Sequence, residues 1–138
     1  MIAFVDSSVI LRKLLGEPHS LAEWKSIRSA YASRILLVEL GRVIDRLRLA
    51  GQINDEDVVS LHAEARRIVA SIAVVPVTEE ILARAQSAMP TSLGTLDAIH
   101  LATALELAAQ VPGPLVLATH DLQLARAAQA SGLDVCGI

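Results

Sequence analysis

Two acidic residues follow apolar runs that are typical of buried strands. Asp6 comes directly after Ile2–Val5, and Asp121 comes three residues after Leu115–Ala118. Taken singly, each residue is better explained as the N-cap of a following helix than as a metal ligand. Their positions nevertheless place both acids beyond the carboxyl ends of predicted strands, which is where parallel α/β sheets bind their ligands.

Two further acids lie in apolar helical patterns. Glu39 shares a helix face with Leu36 and Val43, where a carboxylate is costly unless it is paired or bound to a metal. An ion pair with Arg42, three residues on, is the competing explanation. Asp97 begins a helix that is otherwise almost entirely apolar. The helix dipole favours an acid there, but an acid on a core helix requires a partner, which makes Asp97 the strongest single candidate.

Four carboxylates brought together would form a site for a hard divalent cation. Mg²⁺ prefers oxygen ligands, and carboxylates also suit Mn²⁺. Without a cation the acids would repel one another, and the pKa of at least one would rise. A divalent ion neutralises such a cluster, lowers the pKa of a coordinated water and stabilises charge on a phosphodiester. The sequence leaves open whether one ion or two would bind.

Two histidines flank the proposed ligands and raise the alternative of a zinc site. Neither His100 nor His120 has a His or Cys partner at a zinc-ligand spacing, and four acids suit a harder metal. We therefore interpret both as structural groups or as groups that support the metal ligands from behind. His19 and His62 lie in polar surroundings and are expected to be exposed.

The secondary-structure elements that must position these residues indicate an α/β protein. Short apolar runs alternate with helical patterns, which indicates a three-layer α/β/α fold with a central, mostly parallel sheet of four or five strands. The polar stretch Ser29–Ser33 is predicted to link two helices. The predicted strands are Ile2–Val5, Ile72–Val77, Leu115–Ala118 and Leu133–Val135. The predicted helices are one that ends near Leu15, one that begins at Ser20, Arg34–Ala50, one after the cap Asn54, one after the cap Thr78, Thr95–Ala109 and Asp121–Ser131.

Length and composition favour a single domain over residues 1–138. Apolar residues make up 53% of the chain, but no apolar run approaches the roughly 20 residues of a membrane span. The start of the chain reaches Asp6 without the pattern of a signal peptide, and the single cysteine, Cys136, excludes an internal disulfide. We therefore expect a cytoplasmic protein that makes no membrane contact.

Charge and aromatic content exclude some modes of nucleic-acid binding. The net charge of −3 argues against binding by bulk electrostatics, although Arg34, Arg42, Arg46 and Arg48 cluster around one helix. The only aromatic residues are Phe4, Trp24 and Tyr31. A base-stacking platform built from aromatic rings is therefore excluded.

Two other classes of protein fit parts of the pattern. An aspartyl-phosphate phosphotransferase or phosphatase would use Asp6, but the haloacid-dehalogenase pattern requires a second Asp where this chain has Ser8. A receiver domain requires a late lysine, and the only lysines are Lys13 and Lys25. The remaining alternative is a non-catalytic interaction module whose acids are only caps and surface pairs. Metal-dependent stabilisation distinguishes that module from a metal enzyme.

The ordered set of motifs resembles the PIN-domain family over essentially the whole chain. Val5-Asp6-Ser7-Ser8 resembles the family's opening motif, and Glu39 after Ser33–Val38 resembles its second acid. The segment Leu96–Ala104 is similar to the most specific motif of the family, and Thr119–Asp121 to its fourth. The length of the chain is similar to that of the VapC toxins of bacterial toxin–antitoxin pairs.

This resemblance implies a metal-dependent endoribonuclease that uses Mg²⁺ or Mn²⁺ and leaves a 3′-hydroxyl and a 5′-phosphate on the cut RNA. Asp6, Glu39 and Asp97 would be the main ligands, and Asp121 would complete the site directly or through water. Ser8 and Thr119 match hydroxyl positions of the family motifs and would hydrogen-bond the carboxylates or the scissile phosphate. A separate hypothesis, which comes from the arginine cluster and not from the resemblance, is that Arg42 and Arg46 steer the RNA backbone toward the acids.

The resemblance also implies partners. VapC members typically form homodimers and are silenced by a small antitoxin that lies in a groove formed by the early helices. Candidates for such a groove here are Leu11, Leu14, Leu15 and Trp24, although ordinary core packing explains most of them better. The RNA that would be cut, and the identity of the antitoxin, do not follow from the sequence.

Overall fold

The computed structural model describes all 138 residues and contains one five-stranded sheet between two layers of helices. The strands are β1 (Ile2–Val5), β2 (Ser29–Ser33), β3 (Ala73–Val75), β4 (Leu115–Ala118) and β5 (Asp134–Cys136). The helices are α1 (Ser7–Leu14), α2 (Ile35–Leu49), α3 (Asp55–Val69), α4 (Glu79–Ala85), α5 (Thr95–Ala108) and α6 (Leu122–Ala130), with a short 3₁₀-helix at Ala22–Ser26. None of the helices combines the length and the apolar character needed to span a bilayer.

The order of the strands places a reversal point beside β1. All neighbouring strands are parallel, in the order β3-β2-β1-β4-β5. The chain runs outward from β1 to β3 and then returns to the other side of β1 to form β4 and β5. Ligands of open α/β sheets bind beyond the carboxyl ends of the strands at such a reversal. Asp6 and Asp121 follow β1 and β4, the two strands that meet there.

Alternate residues of β1 enter two separate cores, because successive side chains of a strand point to opposite faces. Ala3 and Val5 pack with residues of α1, α2 and α3, whereas Phe4 packs with residues of α5 and α6. All three side chains are fully buried. The predicted three-layer α/β/α architecture is thus confirmed.

The segment Ser29–Ser33 is a strand and not the polar link predicted from its composition. It lies inside the sheet, where Tyr31 is paired with Phe4 of β1 and with Ala73 of β3. Pairing on both sides overrides the weak local pattern, because strand preference depends on neighbouring strands more than on intrinsic propensity. This strand matters for the site, since α2 begins two residues after it and carries Glu39.

The other predicted elements are present, with ends shifted by one or two residues. Asn54 and Thr78 cap α3 and α4 as predicted, and Asn54 forms a full capping box with Asp57. The strand predicted at Ile72–Val77 is reduced to the three residues of β3.

Candidate metal centre

Asp6 is held in one orientation by three hydrogen bonds to a single carboxylate oxygen. Its Oδ2 accepts from the hydroxyl of Ser8 at 2.6 Å, from the hydroxyl of Thr119 at 3.0 Å and from the backbone N–H of Ser8 at 3.2 Å. The backbone bond makes Asp6 the N-cap of α1. Asp6 is only 3% exposed, and its other oxygen, Oδ1, accepts no hydrogen bond within the protein's own network.

Asp121 is anchored in the same manner at the start of α6. Its Oδ1 accepts from the backbone N–H of Gln123 at 2.7 Å and from that of Leu124 at 3.0 Å. The cap therefore occupies one carboxylate oxygen and leaves Oδ2 free. For Asp6 and Asp121, capping a helix and binding a cation are compatible roles, because each role uses a different oxygen.

A hydroxyl network joins the two anchored aspartates across β1 and β4. The hydroxyl of Thr119 donates to Asp6 and accepts the backbone N–H of Asp121 at 2.9 Å. The hydroxyl of Ser8 donates to Asp6 and accepts the backbone N–H of His120 at 3.0 Å. Thr119 is fully buried. Because charged hydrogen bonds in a buried network are stronger than exposed ones, these contacts hold both aspartates at the end of the sheet.

Glu39 reaches the site from α2 and pairs with His100 of α5. The distance from His100 Nε2 to Glu39 Oε2 is 2.7 Å, and the side chains are 0% and 17% exposed. The competing explanation, an ion pair between Glu39 and Arg42, is wrong. Arg42 donates to Asp45 at 2.9 Å and is 65% exposed, because the nearest acid on its own surface is Asp45.

Asp97 lies in the first turn of α5, which is the core helix that the apolar pattern predicted. Seven residues of this helix are buried. The carboxylate of Asp97 is held by no hydrogen bond or ion pair with another side chain. The N-cap of α5 is Gly94, which makes no side-chain cap. A Cβ at Gly94 would lie 3.3 Å from Asp97 Oδ2, so the glycine leaves space for this carboxylate.

The electrostatic environment of Asp97 indicates that the four acids lie near one another. Burial raises the pKa of Asp97, and the negative charges of Asp121, Asp6 and Glu39 raise it further, whereas His100 opposes the rise. Such an effect requires proximity, because the interaction between charges falls with distance. The structure thus places the four predicted acids near enough for their charges to interact.

The donor set fits a hard cation. Asp6 and Asp121 are fixed and each has an unengaged oxygen, Glu39 uses only Oε2, and Asp97 is unengaged. This is the oxygen chemistry of Mg²⁺ and Mn²⁺ sites. As the side chains stand, no three His, Cys, Asp or Glu residues are placed so that they could hold a metal ion together. Coordination of one ion by all four acids would therefore require side chains to move, and a bound cation would offset the repulsion among them.

We expect the metal-free protein to lose stability as pH rises from the ordinary pKa of an aspartate to the raised pKa of folded Asp97. In this interval folded Asp97 keeps a proton that the unfolded chain has released. Asp97→Asn removes that loss, so the metal-free variant should be more stable than the parent protein at neutral pH. Urea unfolding in EDTA at several pH values measures the difference. A variant less stable than the parent at neutral pH would contradict the electrostatic account.

The remaining predicted residues divide into two groups. Ser8 and Thr119 contact Asp6, as described above. Arg42 and Arg46 lie exposed on α2 and contact none of the four acids. The prediction that they meet RNA stays a prediction.

Sequence reasoning missed the pairing of His100 with Glu39. The available signal was spacing: His100 lies three residues after Asp97, and residues three apart share a helix face. His100 and Glu39 are 61 residues apart in sequence, so only the packing of α5 against α2 reveals the contact. The predicted exposure of His19 and His62 is confirmed.

An open cavity of about 640 Å³ adjoins the start of α5. Gly94, Thr95 and Ala98, which bracket Asp97 in sequence, contribute to its wall, and Leu82 and Met89 lie across from them in the lining. No charged residue lines it. Neutral parts of a ligand therefore have room beside the acids.

Comparison with known proteins identifies relatives along nearly the whole chain. The model of the PIN domain family matches residues 3–130. The chain is 31% identical to Ribonuclease VapC47 of Mycobacterium tuberculosis over 111 residues, 75% of each protein. It is 30% identical to Ribonuclease VapC46 of the same species over 132 residues, 96% of this chain and 94% of that protein.

Solved structures share the fold at low sequence identity. VapBC2 from Rickettsia felis, bound to a DNA fragment from its promoter, aligns with a TM-score of 0.68 and 11% identity over 98% of this chain and 97% of that one. A toxin–antitoxin complex from Klebsiella pneumoniae aligns with a TM-score of 0.64 and 17% identity over 93% of each chain. The family match and the two curated relatives agree with the geometry described above. This chain belongs to the PIN-domain family, among the VapC-type ribonucleases.

Proposed function

We propose that this chain is an endoribonuclease that hydrolyses RNA phosphodiester bonds with a bound divalent cation, and that it is the toxin of a toxin–antitoxin pair. One observation carries the proposal: Asp6 and Glu39 lie 3.7 Å and 2.7 Å from the same atom, His100 Nε2, near Asp97 and Asp121, and each of the four acids keeps an oxygen free of hydrogen bonds. Its curated relatives VapC46 and VapC47 are named ribonucleases. Relatives of this kind generally depend on a divalent metal.

Asp6, Glu39, Asp97 and Asp121 would hold Mg²⁺ or Mn²⁺. Once bound, such an ion lowers the pKa of a coordinated water and offsets the negative charge of a phosphodiester. The protein contributes placement. Asp6 and Asp121 are oriented by hydrogen bonds, whereas no hydrogen bond holds the carboxylate of Asp97. Fixed ligands reduce the reorganisation that the reaction would otherwise require.

Hydrogen bonds from Ser8 and Thr119 orient Asp6. All three donors engage Oδ2, which leaves Oδ1 without a hydrogen bond. Ser8 and Thr119 are therefore assigned to support of Asp6, because both hydroxyl protons point to that carboxylate. Contact of either hydroxyl with the scissile phosphate would require breaking this bond.

The chemistry of the cut ends tests the proposal. We expect RNA incubated with the protein and Mn²⁺ to acquire 5′-phosphate and 3′-hydroxyl ends, because a water that attacks phosphorus and displaces the 3′-oxygen leaves the phosphate on the downstream fragment. EDTA should stop the cleavage, because it removes the cation that activates the water. Sequencing of RNA ends with and without phosphatase treatment detects these products. Cyclic phosphate ends, or cleavage that EDTA does not affect, would contradict a metal-activated water.

A second prediction concerns the two exposed arginines of α2. If Arg42 and Arg46 bind RNA phosphates, replacing both with glutamine should reduce the slope of log affinity against log salt by about 0.7 for each phosphate that is no longer neutralised. A matched control is the replacement of Arg66 and Arg67 on α3, where Arg67 pairs with Glu64 as Arg42 does with Asp45. Equal slopes for the two double variants would remove Arg42 and Arg46 from the RNA path. Binding measurements use the inactive Asp97→Asn protein at several salt concentrations.

We further propose that a small antitoxin protein binds this chain, since the related folds include toxin–antitoxin complexes. The early helices offer a cavity of about 310 Å³ whose lining includes Val9, Leu21 and Trp24. Of the four residues predicted for a groove, Trp24 lines this cavity, whereas Leu14 is buried in the core. Assembly as a homodimer stays a prediction.

A further inference from the structure

His100 occupies a position that core packing alone does not explain. The side chain is fully buried on α5 and meets the edge of Phe4, with ring centroids 6.2 Å apart. Its Nε2 nevertheless points away from the apolar core toward two acids, Glu39 at 2.7 Å and Asp6 at 3.7 Å. A buried polar ring is costly unless it is hydrogen-bonded, and here the bond is made to a proposed metal ligand.

We assign His100 Nε2 as the donor in this contact. A carboxylate normally accepts hydrogen bonds, and a ring N–H at 2.7 Å from Glu39 Oε2 is the donor that the geometry offers. The other ring nitrogen, Nδ1, is buried and has no partner. Nε2 is therefore the only ring nitrogen of His100 with a hydrogen-bond partner, and that partner is Glu39.

This hydrogen bond engages the carboxylate of Glu39 in the same way as the carboxylates of Asp6 and Asp121 are engaged. In each residue the protein engages one carboxylate oxygen, and the second is left for a ligand. Glu39 differs in its anchor. The aspartates are held by hydroxyls and backbone N–H groups near their own helix starts, whereas Glu39 lies mid-helix and has no such groups within reach. An imidazole from α5 supplies the missing donor, and Arg42 is engaged elsewhere because it binds Asp45.

We propose that His100 is a positioning residue that fixes Glu39 for coordination of the divalent cation by donating a hydrogen bond from Nε2 to Oε2. The proposal rests on the proposed metal-dependent function. Groups behind metal ligands set ligand orientation, and their loss typically reduces metal affinity about 10- to 100-fold.

Two polar variants at the same position provide the test. In His100→Gln the side-chain amide N stands near the place of Nε2, whereas in His100→Asn it stands near the place of Nδ1 and does not reach Glu39. We measure the Kd for Mn²⁺ by isothermal titration calorimetry, and kcat and KM for RNA cleavage at saturating Mn²⁺. We expect His100→Gln to stay close to the parental Kd and His100→Asn to weaken Mn²⁺ binding about 10- to 100-fold. The KM for RNA should change little in both.

Ile44→Val controls for a general loss of stability. Ile44 is buried on α2, the helix that carries Glu39, and shortening it loosens the core without touching the hydrogen bond. This variant should keep the parental Kd for Mn²⁺. Parental Mn²⁺ affinity in His100→Asn, or equal losses in the Asn and Gln variants, would overturn the positioning role. Failure of the proposed function is distinguishable, because the parent protein would then bind Mn²⁺ no better than Asp97→Asn does.

Discussion

Replacing Asp97 with asparagine is expected to reduce RNA cleavage by at least about a hundredfold while leaving the fold intact, because several kcal/mol of charge stabilisation depend on the bound cation. Asn keeps the size of the side chain and removes its charge. The carboxylate makes no hydrogen bond or ion pair, so the substitution breaks no structural interaction. The other three acids repel this carboxylate and only His100 attracts it, so the substitution relieves more repulsion than attraction.

Asp55→Asn is the matched control for this variant. Asp55 occupies the first turn of α3 as Asp97 occupies that of α5, and it is exposed and distant in sequence from all four acids. We expect Asp55→Asn to cleave RNA at the parental rate. An Asp97→Asn protein that cuts as fast as the parent, with RNA ends mapped by sequencing, would show that the site is assigned wrongly.

Removing metal should change stability as well as activity. At a Mn²⁺ concentration about 100 times its Kd, binding to the folded state adds about 2.7 kcal/mol, which raises the melting temperature by roughly 5–15 °C for a domain of this size. The cation offsets the repulsion among the acids, so the gain requires the intact cluster. EDTA should reverse the shift.

The melting experiment also distinguishes a nuclease from the non-catalytic interaction module that the sequence left as an alternative. In such a module the acids would be only caps and surface pairs, and Mn²⁺ would leave the melting temperature unchanged. Asp97→Asn should lose most of the shift seen in the parent, whereas Asp55→Asn should keep it. A shift of equal size in Asp97→Asn would place the bound ion elsewhere on the protein.

The positions of Asp6 and Asp121 in the fold were predictable because both residues carry local signals. Asp6 and Asp121 each follow a buried strand and precede a helix, and this arrangement fixes their place at one end of a parallel sheet. The same local signals suggested helix caps, and the structure contains both caps. One pattern therefore predicted two roles, and the two oxygens of a carboxylate make the roles compatible.

Pairing between distant segments was not predictable in the same way. The polar composition of β2 indicated a link between helices, and only its neighbours β1 and β3 make it a strand. The side-chain partner that the sequence offered for Glu39, as the alternative to a metal, lies three residues away on its own helix, whereas the observed partner lies on α5. Local spacing identifies which residues can pair, but competition among partners is decided by how the helices pack.

The position of manganese in a crystal of the protein soaked with Mn²⁺ tests the central claim most directly. Anomalous scattering should show density between Asp6 Oδ1 and the carboxylates of Glu39, Asp97 and Asp121, at the end of β1 and β4. In crystals of Asp97→Asn that density should be weak or absent. Manganese bound only at other surfaces of the parent protein, with none among these four side chains, would contradict the account.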